Sequence, residues 1–466
     1  MPSGPDLAAL FAAQRAAFAR HLFPDARERK KALTRLIDAL LAHRESFAEA
    51  ISQDFGGRSR QEVMFSEIYV SLTSLRHARS HLSEWMEKRY RPVALPMQMA
   101  QAYVLPQPLG VVGIVAPWNY PVFLAMGPLG AALAAGNRVM LKPSEHTPRT
   151  SALLAMTIAK TFPPDFVTVI EGDDNVGKSF ARLPFDHLLF TGSTGVGREV
   201  MRAASENLTP VTLELGGKAP AMVADDANLA RAAEDIVYGK LINAGQTCIA
   251  PDYVLVAARR QQELVNALQA AVERLYPRSL ANRDYTSVID DRNYSRLCGY
   301  VEEARGRGVS VLSLGSEAEA GVRRMAPTLI LNPPDDLAVM RDEIFGPILP
   351  IKSFSEVTEA LDYINRRPRP LAIYLFTNSG RLKERVLRET VSGGVCLNDT
   401  LLQVAAEDLP FGGAGASGMG HYHAQEGFDT FSKLKPVFER GWFGMGRMLR
   451  PPYSRLHIWM ERLLIR

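Results

Sequence analysis

The chain has 466 residues, more than the roughly 250–300 at which one hydrophobic core stops growing, so we expect at least two domains. Hydrophobic residues make up 47% and charged residues 22%, the balance of an ordinary globular protein. The net charge of +4 is too small for this length to indicate nucleic-acid binding. Three scattered cysteines form no disulfide framework and favour a reducing compartment, so we expect a cytoplasmic protein. The sequence has no signal-peptide pattern and no apolar run of about 18 residues, so we expect neither a leader nor a transmembrane segment.

The first part of the chain reads as helices followed by a proline-rich connector. Leu33, Leu36 and Leu40 recur at helical spacing within residues 6–90, with charged residues between them. Four prolines interrupt residues 91–108, which predicts a connector or a short edge ribbon.

From Gly110 the pattern changes to strands that alternate with helices. Continuous apolar runs predict the strands, and helical periodicity fills most of the stretches between them. The predicted strands lie at 111–116, 138–142, 166–170, 186–191, 219–224, 253–257, 328–331, 348–354, 373–377 and 393–398. The predicted helices lie at 122–135, 147–161, 194–205, 232–242 and 260–275. Such repeated strand–helix–strand units predict an α/β fold whose parallel sheets are covered on both faces.

Two polar segments follow predicted strands, at the edge where parallel sheets bind ligands. Gly192, Ser193 and Gly197 open a helix, where backbone N–H groups can meet a phosphate. Their order, G-x-x-G-x-G, differs from the dinucleotide fingerprint G-x-G-x-x-G, and a plain strand-to-helix turn is the alternative. Lys142 and Glu145 have the chemistry to hydrogen-bond a ribose, and a solvated loop is the alternative there.

A thiol, a carboxylate and an amide lie in segments that suit covalent catalysis. Cys248 has small, polar neighbours between a helical pattern and a strand, and is a nucleophile if its pKa falls below about 8.5. Glu214 lies in an apolar strand, which favours a base with a pKa closer to neutrality. The amide of Asn119 is a neutral donor suited to an oxyanion, although an asparagine between prolines also suits a turn.

The other cysteines and two neighbouring histidines predict no further chemistry. Cys298 and Cys396 read as buried, inert thiols. His421 and His423 flank Tyr422 without a nearby third ligand, which predicts a surface loop. We therefore expect no metal site.

Together, these segments resemble the NAD(P)-dependent aldehyde dehydrogenase superfamily over residues 5–440. The motifs that carry the resemblance follow the family's order: Pro117-Trp118-Asn119, Lys142-Pro143-Ser144-Glu145, Phe190-Thr191-Gly192-Ser193, Leu213-Glu214-Leu215-Gly216-Gly217-Lys218, Gly245-Gln246-Thr247-Cys248, Glu343-Ile344-Phe345-Gly346-Pro347 and Pro410-Phe411-Gly412-Gly413 with Ser417-Gly418. The chain lacks the longer N-terminal arm of the tetrameric members, and in this it resembles the short, dimeric branch of the superfamily. Within that branch, residues 250–255, 284–287 and 408–411 are most similar to bacterial coniferyl aldehyde dehydrogenases. Residues 420–424 depart from the family pattern, which has a glycine there in many members.

The resemblance implies an α/β fold with two Rossmann-like parallel-sheet domains, one for the cofactor and one for catalysis, plus a small β oligomerisation flap. The implied limits are 1–90 and 107–211 for the cofactor-binding domain, 212–392 for the catalytic domain, 91–106 and 393–440 for oligomerisation or bridging segments, and 441–466 for a basic, aromatic tail.

The resemblance also implies an activity, the oxidation of an aldehyde to its acid with reduction of NAD or NADP. In that reaction Cys248 attacks the aldehyde, Asn119 and the Cys248 backbone N–H hold the oxyanion, and Glu214 activates the water that hydrolyses the thioester. Lys142 and Glu145 would bind the adenosine ribose. The residues implied for the rest of the cofactor are Gly192, Ser193 and Gly197 at the pyrophosphate, Glu343 and Phe345 at the nicotinamide ribose, and Trp118. The expected substrate is an aromatic, coniferyl-type or a medium-chain aldehyde.

Several alternatives stay open. An acylating enzyme would pass the thioester to coenzyme A, although Glu214 argues against it, and a non-catalytic protein on the same fold would not need Cys248. The charge of Glu145 favours a free 2′-hydroxyl, hence NAD over NADP. Residues 441–466 either pack along a homodimer, with arginine stems over apolar surface, or touch an anionic membrane surface.

Overall fold

The computed structural model describes residues 6–94, 100–314, 323–441 and 450–465. Its α-helices, in chain order, are α1 Leu7–Arg20, α2 Ala26–Phe55, α3 Arg60–Val63, α4 Val70–Trp85, α5 Phe123–Ala134, α6 Pro148–Thr161, α7 Asp174–Ala181, α8 Thr194–Ser205, α9 Leu229–Leu241, α10 Gln261–Leu275, α11 Asp291–Gly306, α12 Ala338–Arg341, α13 Val357–Asn365, α14 Gly380–Glu389, α15 Leu402–Ala405, α16 Ala424–Thr430 and α17 Arg455–Leu464. Its strands are β1 Arg89–Arg91, β2 Gln101–Pro108, β3 Val111–Val115, β4 Arg138–Lys142, β5 Val167–Val169, β6 His187–Gly192, β7 Val211–Leu215, β8 Pro220–Val223, β9 Tyr253–Ala257, β10 Ser310–Ser313, β11 Thr328–Leu331, β12 Ile348–Phe354, β13 Ala372–Phe376, β14 Gly394–Leu397, β15 Gly418–Met419 and β16 Ser432–Glu439.

The first sheet has six strands in the order β15-β7-β6-β3-β4-β5. All neighbours are parallel except β15, which runs antiparallel to β7. The central strand β3 is an uninterrupted apolar run, and Val111, Val112 and Ile114 are fully buried. A strand of this composition needs cover on both faces, which the helices provide.

The second sheet has seven strands in the order β10-β11-β12-β9-β8-β13-β14, all parallel except β10. A third sheet, β1-β2-β16, is antiparallel and forms the predicted β flap. The predicted fold class, two parallel-sheet units with a small β extension, is therefore confirmed. Helices α7, α13 and α14, among others, were absent from the prediction.

The long helix α2 shows why this part of the chain is helical. Asp25 caps its first turn, and Asp25 and Glu28 form a reciprocal capping box. Leu33, Leu36 and Leu40 lie on its buried face, as the periodicity predicts. The helix ends at Gly56, whose left-handed backbone turns the chain.

Sheet membership bears on the domain limits, which stay a prediction. Strand β7 continues across the expected limit at residues 211 and 212 and pairs with β6 in the first sheet. Strand β14, in the expected bridging segment 393–440, extends the second sheet beside β13. The apolar character of each strand shows that it is buried, but not which neighbour it pairs with.

No helix within the described residues is long and apolar enough to cross a membrane. Of the predicted tail, residues 442–449 lie outside the described residues. Within α17, Ile458 and Trp459 are exposed whereas Met460 is buried. Both interpretations of the tail, and the homodimer, stay predictions.

Candidate active site

The predicted catalytic segments meet where the two large sheets face each other. Asn119, Glu145 and Glu214 lie at or beyond the carboxyl ends of β3, β4 and β7, hence at one edge of the first sheet. Cys248 precedes β9 and Glu343 precedes β12, which places both at the amino edge of the second sheet. Loops from two sheet edges can therefore converge on one cleft.

The loop that carries Cys248 has an unusual backbone. After α9, Asn243, Ala244 and Gly245 all have positive φ angles of 50°, 51° and 76°. A Cβ atom at Gly245 would lie 2.4 Å from the carbonyl oxygen of Gly346, so glycine is required there. This turn presents Cys248 at the cleft, where it remains partly exposed.

Two carboxylates surround the thiol. Burial, together with the charges of Glu343 and Glu214, raises the pKa of Cys248 to about 12. Glu214 is 3% exposed, and burial raises its pKa well above the ordinary value. Neither oxygen of Glu214 has a hydrogen-bond partner among the described residues. A buried carboxylate without partners can accept a hydrogen bond from water or ligand.

Asn119 is held against the nucleophile loop. Its side-chain Nδ2 donates to the carbonyl oxygen of Gln246 at 3.1 Å. The amide of Gln246 in turn donates to the carbonyls of Asn243 and Ser287, and its Oε1 accepts from the Ile289 N–H. One of the two Nδ2 hydrogens of Asn119 is thus used for orientation, and the second has no acceptor among the described residues.

The predicted ribose-binding pair lies at the end of β4. Lys142 is 3% exposed, and its Nζ donates to Glu145 Oε2 at 2.9 Å. Burial acts to raise the pKa of Glu145, but hydrogen bonds from Lys142 and the backbone, together with the charges of Lys142 and His146, outweigh it and lower that pKa, so the carboxylate is ionised.

The predicted phosphate segment lies at the start of α8. Ser193 is the N-cap, and its hydroxyl accepts from the Val196 N–H. A Cβ atom at Gly197 would lie 2.6 Å from Leu215, so this glycine allows close packing of α8 on β7. A Cβ atom at Gly192 would likewise lie 2.5 Å from the ring of Phe190. These two glycines serve packing, and two N–H groups in the first turn of α8 already bond to Ser193, that of Val196 to its hydroxyl and that of Gly197 to its carbonyl.

Glu343 and Phe345 lie on the opposite side of the cleft. The ring of Phe345 meets the indole of Trp118 edge-on, with centroids 5.4 Å apart. Glu343 packs against the Gly216–Gly217 backbone, and burial raises its pKa to about 8. The residues that hold this loop in place were not predicted: Asp252 forms an ion pair with Lys218 and accepts a hydrogen bond from the Ile344 N–H.

Other features of the site also differ from the predictions. His423, expected in a surface loop, is 3% exposed and stacks on Phe411, because the chain returns there beneath α5. Cys298, expected to be buried, is partly exposed on α11. Two buried charges were also not predicted: Arg58 in the loop between α2 and α3, and Glu67 in the helical segment that follows. Charged residues in an amphipathic helix normally indicate a solvated face.

Within the part of the chain that the structure describes, no cluster of three His, Cys, Asp or Glu side chains could hold a metal ion. Contacts join some of the predicted site residues across the two sheets, such as that between Trp118 and Phe345. Cys248, Asn119 and Glu214 lie around the thiol, and the strand-end residues continue along the edge of the first sheet.

Two Rossmann-like sheets with polar side chains at their facing strand ends define an α/β protein with a ligand site between the sheets. The sequence pattern of the aldehyde dehydrogenase family matches residues 4–437, and the chain belongs to that family. A Pseudomonas aeruginosa protein named probable coniferyl aldehyde dehydrogenase is 52% identical over 96% of this chain and 94% of its own. The substrate-bound structure of Staphylococcus aureus AldH is 36% identical, with a TM-score of 0.93 over 98% of this chain and 99% of that chain. The NAD+ complex of a Bacillus cereus aldehyde dehydrogenase is 27% identical, with a TM-score of 0.84 over 93% and 89%.

Proposed function

We propose that this protein oxidises an aldehyde to its carboxylic acid by covalent catalysis at Cys248. The observation that carries the proposal is the proximity of Cys248 to a buried carboxylate, Glu214: burial raises the pKa of Cys248, and the charges of Glu343 and Glu214 add to the rise. Membership of the aldehyde dehydrogenase family supports the reaction class.

In the first half of the proposed reaction, the Cys248 thiol loses its proton to water, its sulfur bonds to the carbonyl carbon, and the carbonyl oxygen becomes an oxyanion. The free Nδ2 hydrogen of Asn119 stabilises this oxygen, because a neutral donor does not oppose its later return to a carbonyl. The carbon then loses its hydrogen as hydride, and a thioester remains on Cys248. A bound nicotinamide dinucleotide supplies the hydride acceptor.

In the second half, Glu214 takes a proton from water as the water oxygen bonds to the thioester carbon. The carbon–sulfur bond breaks, the acid leaves, and the sulfur recovers a proton. The raised pKa of Glu214 suits this step, since a more basic carboxylate is a stronger general base.

For the cofactor we propose NAD in preference to NADP. Lys142 and the ionised Glu145 would bind the adenosine ribose, and a 2′-phosphate would meet the negative charge of Glu145. The exposed first turn of α8 would receive the pyrophosphate at Ser193. Glu343 would hold the nicotinamide ribose, since one of its buried oxygens has no partner among the described residues.

For the substrate we propose an aromatic aldehyde of the coniferyl type, with medium-chain aldehydes as the alternative. The name of the Pseudomonas aeruginosa relative supports the first. A connected group of aromatic rings lies near the thiol, formed by Phe123, Phe411, Tyr422 and His423. Burial raises the pKa of Tyr422, and the charges of Glu214 and Cys248 add to the rise. Flat rings of this kind suit an aromatic substrate.

The test follows reduced nicotinamide by absorbance with a cinnamaldehyde series, aliphatic aldehydes and both cofactors. Wild-type enzyme should turn over without coenzyme A, and Cys248→Ala should abolish both burst and turnover. Glu214→Gln should keep a burst of about one equivalent per site but lose steady-state turnover. Turnover by Cys248→Ala would refute the covalent mechanism, and dependence on coenzyme A would favour an acylating enzyme. Cofactor binding without activity towards any aldehyde would favour a non-catalytic protein.

A further inference from the structure

A buried arginine lies behind the oxyanion side of the site. The Arg58 side chain has no exposed surface, and its Nε donates to Glu62 Oε1 at 2.7 Å. Its Nη1 donates to Glu67 Oε1 at 3.1 Å, and Glu67 is also fully buried. Buried ion pairs of this kind seldom improve on well-packed apolar residues for stability, so another role accounts better for them.

The guanidinium of Arg58 reaches the loop that carries Asn119. Nη1 donates to the main-chain carbonyl of Asn119 at 3.0 Å, and the guanidinium lies 4.7 Å from the ring centre of Tyr120. The hydroxyl of Tyr120 is hydrogen-bonded to Thr247, the neighbour of Cys248, at 2.7 Å. Arg58 thus contacts both residues through which this loop meets the nucleophile loop.

The two carboxylates extend the same frame. Glu67 Oε2 accepts the N–H groups of Val122 and Phe123, at 3.0 and 2.8 Å, where α5 begins. Glu62 Oε2 accepts the N–H of Asn243 at 3.1 Å, the first residue of the left-handed turn. The ion triad therefore joins the segment before α5 to the turn before Cys248.

Building on the proposed function, we propose that Arg58 is a positioning residue. Arg58, itself held between Glu62 and Glu67, fixes the Asn119 backbone and so sets the Asn119 side-chain amide against the substrate carbonyl that Cys248 attacks. This role requires that both the backbone and the side chain of Asn119 are held in place. The Asn119 carbonyl accepts from Arg58 and from Asn243 Nδ2, while the Asn119 side chain is oriented by the Gln246 carbonyl.

The chemistry of arginine explains its choice over lysine. The guanidinium presents several N–H donors in a rigid plane, and here different donors serve Glu62, Ser66, Glu67 and the Asn119 carbonyl. An ammonium group has a single nitrogen and cannot span acceptors on three segments. Arg58→Lys keeps the positive charge between the carboxylates and loses the span, so it separates geometry from charge.

The test is a double-mutant cycle between Arg58→Lys and Asn119→Ala on the full-length enzyme. Loss of an oxyanion donor costs about 100-fold or more in kcat, and a displacement of about 1 Å costs a good part of that. We expect Arg58→Lys to lower kcat about tenfold, with the KM for the cofactor and the alkylation of Cys248 by iodoacetamide within twofold of wild type. Alkylation forms no oxyanion, so it reports on the thiol alone. In the Asn119→Ala background, Arg58→Lys should change kcat less than twofold.

The matched control is Arg29→Lys. Arg29 is a second buried arginine, whose guanidinium donates to the carbonyls of Pro24 and Ala134 and contacts neither loop of the site. Its variant should keep kcat within twofold. If Arg58→Lys does not fold, Glu67→Gln replaces it. The one oxygen of the isosteric amide can still accept from the Val122 and Phe123 N–H groups, which turns its NH2 donor towards Arg58 and removes that hydrogen bond, so kcat should fall about threefold.

An unchanged kcat in Arg58→Lys, or in its replacement Glu67→Gln, would overturn the proposal. Full additivity with Asn119→Ala would also overturn it, since Arg58 would then act elsewhere. If kcat, the rate of Cys248 alkylation and the melting temperature all fall together, the variant has lost structure in general, and the positioning role is refuted. Failure of the proposed function is distinguishable, because wild-type enzyme would then oxidise no aldehyde.

Discussion

The raised pKa of Cys248 predicts a thiol that reacts slowly in the free enzyme. The shift from 9.0 to about 12 leaves about a thousandfold less thiolate at any pH below 9, equivalent to about 4 kcal/mol. A more basic thiolate is also more nucleophilic, which recovers part of the loss. The net expectation is alkylation about 30- to 60-fold slower than that of an ordinary thiol.

The substitution Glu343→Gln tests the electrostatic part of this shift. Glu343 has a pKa of about 8, so it is mostly neutral at pH 7 and becomes negative as the pH rises through 8. A negative charge beside the thiol disfavours the thiolate. The variant should therefore match wild type near pH 6.5 and react faster above pH 8.5, where only the wild type carries the opposing charge.

The assay is alkylation by iodoacetamide from pH 6 to 10, read at the Cys248 peptide by mass spectrometry. Because Cys298 is partly exposed, the background carries Cys298→Ser. The reference is the same peptide in urea-unfolded protein. The reasoning is wrong if native Cys248 reacts at the unfolded rate at pH 7.5, or if Glu343→Gln shows the same advantage at every pH.

Three glycines give further predictions. Gly245→Ala places a Cβ 2.4 Å from the Gly346 carbonyl oxygen at a φ of 76°, and should destabilise the protein by at least about 2 kcal/mol in urea unfolding. Gly299→Ala, in the interior of α11 with nothing within 4 Å, should instead stabilise it by about 0.5–1 kcal/mol; equal effects at the two positions would contradict the packing argument. Gly216→Ala places a Cβ 2.1 Å from Glu343 Oε2 and must displace that carboxylate, so the KM for NAD should rise at least tenfold while Cys248 still alkylates. An unchanged KM would remove Glu343 from the cofactor site.

The fold was largely predictable because its strands are continuous apolar runs. Strand β4 and helix α8 have the predicted bounds, and β3 differs by one residue. Helix α7 was missed because only Phe180 and Ala181 are buried in it, too few to give a helical periodicity. The pairing of β14 with β13 depends on tertiary packing, and it cannot be predicted from the composition of either strand.

The sequence named the residues of the candidate site, whose roles stay predictions, but not their geometry. Sequence placed Cys248 and Glu214 in the right local settings, but their proximity depends on two sheets meeting edge to edge. The resemblance to a family supplied that pairing. Neither source indicated that an amide hydrogen of Asn119 is used on Gln246. That contact arises from the left-handed turn after α9. Three consecutive positive φ values cannot be predicted from the residue types Asn, Ala and Gly.

The charges around Arg58 were hidden for a specific geometric reason. Glu62 and Glu67 are five residues apart, and at 3.6 residues per turn such residues point to different sides of an α-helix. The segment Met64–Tyr69 is a π-helical turn, which takes up an extra residue and so changes the register of Glu67 relative to Glu62. Both carboxylates then face Arg58. A π-helical turn departs from the regular hydrogen-bond ladder of the helix and is frequent at functional sites, so its presence here is consistent with a segment kept for the placement of Asn119.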